Sequence, residues 1–185
     1  MPETTATGNT WLYFALMTVC FWGLYGVLLH TGQVGMADPV NGRYKAFLWV
    51  GIAYFLVAVL APLAFLLVQG SDWAFTCNGM LWSFLAGVAG AIGAFGVLLA
   101  LGAKGGTPAA VMSIVFAGAP IVNAIIAIAL HPPAGGLAAI KWPFFLGIGL
   151  AALGGALVVL YKPAPGKKAP PAAVQTASQV PGQSS

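Results

Sequence analysis

Long apolar runs alternate with short polar gaps along this chain, and all ten charged side chains fall in the gaps. The charges are Glu3, Asp38, Arg43, Lys45, Asp72, Lys104, Lys141, Lys162, Lys167 and Lys168. Between them lie five charge-free stretches, 4–37, 46–71, 73–103, 105–140 and 142–161. Each stretch holds an apolar run of about 20 residues, which at about 1.5 Å per residue crosses a hydrocarbon core of about 30 Å as a helix. The pattern predicts helices over about 11–32, 45–69, 80–103, 108–130 and 141–161. The expected fold class is all-α integral membrane, a bundle of five transmembrane helices. Residues 1–10 then form a short extracytoplasmic N-terminus, 11–161 the membrane domain and 162–185 a cytoplasmic tail.

Composition leaves little room for a soluble alternative. Apolar residues make up 60% of the chain and charged residues 5%, with a mean hydropathy of +0.94. A water-exposed surface needs far more charge, about 25% in ordinary soluble domains. The 25 glycines and 13 prolines fit a membrane bundle, where Gly permits close helix approach and neighbours satisfy the carbonyls that Pro frees. The tail after Tyr161 is rich in Pro, Ala, Gln and Ser and is expected to be disordered. No basic patch points to nucleic acid. The first helix lacks a positive leader segment, with only Glu3 ahead of Trp11, and is expected to be retained.

The charges also predict orientation. Arg43, Lys45, Lys104, Lys162, Lys167 and Lys168 fall on one side of the predicted spans and Lys141 on the other, six against one. By the positive-inside rule the N-terminus lies outside and the C-terminus in the cytoplasm, in the inner membrane of the cell. Trp11, Tyr13, Trp73, Trp82, Trp142 and Tyr161 sit near predicted helix ends, where amphipathic rings prefer the headgroup level. Pro108 and Pro143 fall in first turns, where the missing N–H costs nothing.

Candidate chemistry is sparse. No Asp, Glu, Lys or Arg lies inside a span, so coupling through a buried carboxylate is not expected and a transported solute should be neutral or zwitterionic. The polar groups left within spans are Thr18, Trp22, Tyr25, Tyr54, Ser83, Ser113 and Asn123. Trp22, Tyr25, Tyr54 and Asn123 are the candidates to line a solute path. Asn123 follows Pro120, which frees a carbonyl near Phe116, a pairing similar to the broken-helix sites of transporters. An interhelical hydrogen bond is the structural alternative for the same amide. Gly87, Gly90, Gly93 and Gly96 recur every three residues in the third helix, and Gly154 belongs to a second small-residue surface in the fifth. These faces are expected to serve close helix packing.

His30 and His131 end the first and fourth helices on opposite sides, about 30 Å apart, and cannot share an ion. Cys20 falls mid-span and Cys77 in the loop before the third helix, about 15 Å apart in depth, so both are expected as free thiols. The sequence holds no nucleophile triad, phosphate loop or metal-spaced cluster, and neither enzyme activity nor a metal or cofactor is expected.

Four segments resemble the EamA-like domain of the drug/metabolite transporter superfamily. CFWGLYGVLLH in the first helix is similar to that family's opening Trp-Gly element. GVAGAIGAFGVLLALGAKGGT resembles its third helix, PAAVMSIVFAGAPIVNAIIAIALH the following helix, and FFLGIGLAALGGALVVL the closing Gly-rich helix. The resemblance spans 11–161 and implies one five-helix repeat of such a transporter. Leu130-His131-Pro132 stands where family members commonly carry a Leu-Gly-Glu-like element. Typical members also hold two inverted repeats, and this chain holds one. The six-to-one basic bias opposes insertion in both directions, so a self-made antiparallel pair is not expected. A homo- or hetero-oligomer with other membrane chains is.

The function expected is transport, or a half-share in transport, of a small neutral or zwitterionic metabolite across the lipid bilayer. The alternative is a structural or accessory subunit of a larger membrane complex, with pigment or haem binding through a histidine as a weaker variant.

Overall fold

A computed structural model describes residues 9–163. The regular structure among these residues is helical, in five long helices: α1 (Thr10–Gly35), α2 (Gly42–Gln69), α3 (Cys77–Leu101), α4 (Pro108–Leu130) and α5 (Trp142–Leu160). Each is long and apolar enough to cross a membrane. Most of the expected N-terminal segment 1–10 and of the tail 162–185 lies outside the described residues.

Local chemistry explains the helix ends. The Thr76 hydroxyl accepts the Gly79 N–H at 3.2 Å, and Thr107 caps α4 by accepting from Ala110 at 3.3 Å. The first of these caps starts α3 earlier than the apolar run alone predicts, so Cys77 occupies its first turn and not a loop. Gly70 closes α2 in the left-handed region (φ 61°), with Ser71 N–H bonded to the Leu66 carbonyl and Gly70 N–H to that of Leu67.

Within α2 the backbone steps into a π-helical turn at Leu56–Leu60, where the Ala61 N–H reaches back to Leu56. Pro62 follows immediately. Its ring would crowd the carbonyl four residues earlier, and the wider turn relieves that contact. Two of the polar side chains inside spans satisfy themselves locally: Thr18 donates to the Phe14 carbonyl at 2.9 Å and Ser113 to that of Ala109 at 2.6 Å.

The helices converge at one end. Leu29 of α1, Ala46 of α2, Val97, Leu98 and Leu101 of α3, and Val111 and Met112 of α4 form one buried cluster. That cluster sits beside the first turn of α2, which carries Arg43 and Lys45, and the α3–α4 loop, which carries Lys104; we call this the basic end. A side chain at Gly26 would run into Met112, so glycine there lets α1 close on α4. Toward the opposite end the contacts thin out, and α5 packs on α4 alone. No residue of α5 is buried. Large apolar side chains cover the outside of every helix, a surface compatible with lipid as the surrounding solvent.

Candidate functional site

α1 and α2 close tightly near the basic end and part toward mid-span. One face of α1, from Tyr25 through Leu28, Leu29 and Gly32 to Met36, opposes Ala46, Trp49, Val50, Ala53 and Tyr54 of α2. These positions recur at helical spacing, so each set forms one stripe. Between the stripes is a cleft of about 360 Å³, within the range of small-molecule sites.

The polar content of the cleft is the Trp49 indole N–H and two tyrosine hydroxyls. That of Tyr25 is closed to solvent and has no hydrogen-bond partner. Tyr54 stands on the opposite, α2 wall, with its own hydroxyl near that of Tyr25. Both residues lie within one turn of the middle of their helices. The Trp22 ring lies 5.7 Å from that of Tyr25, tilted by 48°. No charged residue lines the cleft.

The structure thus brings Tyr25 and Tyr54 together in one cleft, with Trp22 against the Tyr25 ring but outside the cleft lining, and leaves Asn123 apart. Asn123 lines a second cleft of about 500 Å³ with Pro120, His131, Pro133 and Phe144, away from the basic end. Its amide makes no hydrogen bond to a described residue. Trp49 of the first cleft is the residue that sequence reasoning missed. Its signal was its place on one helical stripe with Ala46, Val50 and Ala53.

The glycines divide in the same way. A Cβ at Gly87, Gly90, Gly93, Gly96 or Gly154 would meet nothing within 4 Å. Within the chain, then, these five make no close approach. Close packing occurs instead at Gly155, where a side chain would strike the Ala117 side chain and come within 3.1 Å of the Ser113 carbonyl. Cys20 and Cys77 are free and exposed. His30 and His131 line cavities at opposite ends of the bundle. Among the described residues no three His, Cys, Asp or Glu side chains cluster.

A polar turn joins α1 to α2 at the basic end. Asp38 Oδ1 accepts the Val40 and Asn41 N–H groups at 3.0 and 2.8 Å, and Oδ2 pairs with Lys45 at 2.6 Å. The Asn41 N–H first, then Lys45 and Val40, hold the Asp38 carboxyl at about 2, below its ordinary 3.8. Because the folded value is the lower one, these contacts stabilise the turn above the ordinary range and are lost as pH falls toward about 2. The Asn41 amide resonance should therefore titrate near 2 and not near 3.8. Lys45→Met is expected to move that titration upward.

No family model, curated protein or solved structure matches the chain.

Proposed function

We propose that the chain is a multi-pass membrane transport protein, or half of one, for a small neutral or zwitterionic solute, with the α1–α2 cleft as the solute site. The observation that carries this reading is the Tyr25 hydroxyl, sealed in an apolar wall at mid-span without a partner. Such a group costs free energy unless something hydrogen-bonds to it. A solute with one or two polar atoms on an apolar body meets that need. The absence of charge from the cleft favours a solute of zero net charge.

The resemblance to the EamA-like transporters belongs to this proposal. So do an inner-membrane location, an extracytoplasmic N-terminus and assembly with a second membrane chain. Asn123 marks a further polar point, in the cleft away from the basic end. Asn123→Ala is expected to lower solute flux in proteoliposomes while the assembly keeps its native mass. Loss of assembly instead would assign the amide to a contact between chains.

A second reading, a structural or accessory subunit, is favoured by the outward glycine stripe of α3. That surface lets another backbone approach closely. Recovery in a stoichiometric complex with unrelated membrane subunits, together with no flux by the isolated chain, would select it.

A further inference from the structure

A cavity of about 370 Å³ lies at the basic end, where the end of α1, the α1–α2 turn and the end of α3 meet. Its polar lining is His30, Gln33, Asp38 and Arg43. None of its lining residues belongs to the α1–α2 cleft. Two of the four side chains are already engaged. Gln33 donates to the Leu98 carbonyl at 3.2 Å, and Asp38 is enclosed by Lys45 and two backbone N–H groups. The negative charge on the wall is therefore already neutralised by a paired lysine.

The other two have no hydrogen-bond or ion-pair partner among the described residues. The Arg43 guanidinium forms no ion pair or hydrogen bond with a described residue, and its one ring contact is with Tyr44, at 5.7 Å. It lies flat against Gly102, where an added Cβ would stand 3.2 Å from Nη1. His30 Nδ1 is unpartnered and closed to solvent, so the ring has to turn to present that nitrogen to a ligand in the cavity. Both residues line one cavity, with a volume of about a dozen waters at roughly 30 Å³ each.

We infer that this cavity is a phosphate site, held by the Arg43 fork and completed by a hydrogen bond from His30. A guanidinium fork matches two phosphate oxygens at once. An uncharged ligand would leave the Arg43 charge without a counter-ion. Basic pockets between helix ends take phosphate from lipid headgroups, and a free phosphate presents the same chemistry. The site does not depend on the chain being a transporter. Only its lipid source rests on the membrane reading.

The test uses the full chain in detergent micelles, with two probes. Phosphatidylglycerol is scored against phosphatidylcholine by native mass spectrometry, and inorganic phosphate is titrated by phosphorus NMR. Arg43→Gln and His30→Leu are each expected to weaken binding by about tenfold or more. Lys104→Gln removes the same charge from the same end without touching the cavity, and should stay within about twofold of wild type.

Loss confined to phosphatidylglycerol assigns a lipid headgroup; loss of inorganic phosphate binding assigns a free phosphate. The inference is overturned if neither probe binds, if both variants bind as wild type does, or if Lys104→Gln costs as much. Should Arg43→Gln not fold, Arg43→Lys keeps the charge and loses the fork. Wild-type binding by that variant would also overturn the site.

Discussion

Gly155→Leu is expected to detach α5 from the bundle, and Gly154→Leu, one residue away, to leave it in place. The two glycines are chemically identical, and only their surroundings differ. At 155 the first side-chain carbon already collides with Ala117 and comes within 3.1 Å of the Ser113 carbonyl, which is backbone and cannot rotate aside. At 154 it meets nothing within 4 Å. Overpacking of this kind costs about 3 kcal/mol, whereas an open position costs about 0.5 kcal/mol or less. Since α5 packs on α4 alone, no other contact holds it once that seam opens. Denaturation of the purified chain in micelles gives the stability difference. Faster protease cleavage between residues 131 and 141 in Gly155→Leu would show which seam has opened.

Tyr25→Phe is expected to raise the stability of the solute-free chain and to lower solute flux. The substitution keeps the ring and its packing near Trp22 and removes only an oxygen that has no partner. Relieving a buried unsatisfied hydroxyl returns about 1 kcal/mol to the folded state. If the solute supplies the missing partner, the same change removes a hydrogen bond from the bound complex and lowers flux by about tenfold. The opposite signs matter. A hydroxyl serving only the fold would not lower flux when its removal stabilises the chain. Tyr54→Phe removes the other hydroxyl of the cleft and is expected to lower flux in the same direction.

The five spans were legible because ten charges in 185 residues leave few ways to divide the chain. Their edges were less so. The Thr76 cap is a local signal that polar Asn78 and Gly79 obscured, and it moved the start of α3 to Cys77. The π turn before Pro62 was not read at all, since Pro120 sits inside α4 without one and the sequence does not separate the two cases.

The faces were the hardest part. In water an apolar stripe marks the side of a helix that packs. Here every side of every helix is apolar, so hydropathy does not say which faces meet. Tyr25 and Tyr54 were recognisable as polar positions within spans, but their meeting in one cleft follows from the α1–α2 approach. For the same reason the regular glycines of α3 drew attention, whereas close contacts inside the chain fall at other glycines, among them Gly26, Gly42 and Gly155.

Transport by the α1–α2 cleft is measured in proteoliposomes loaded with the neutral and zwitterionic small molecules of a cell extract. Mass spectrometry then follows what leaves on dilution from vesicles holding wild-type protein, Tyr25→Phe or no protein. At least one such solute is expected to leave faster with wild type than from either control. Identical efflux from all three would contradict it.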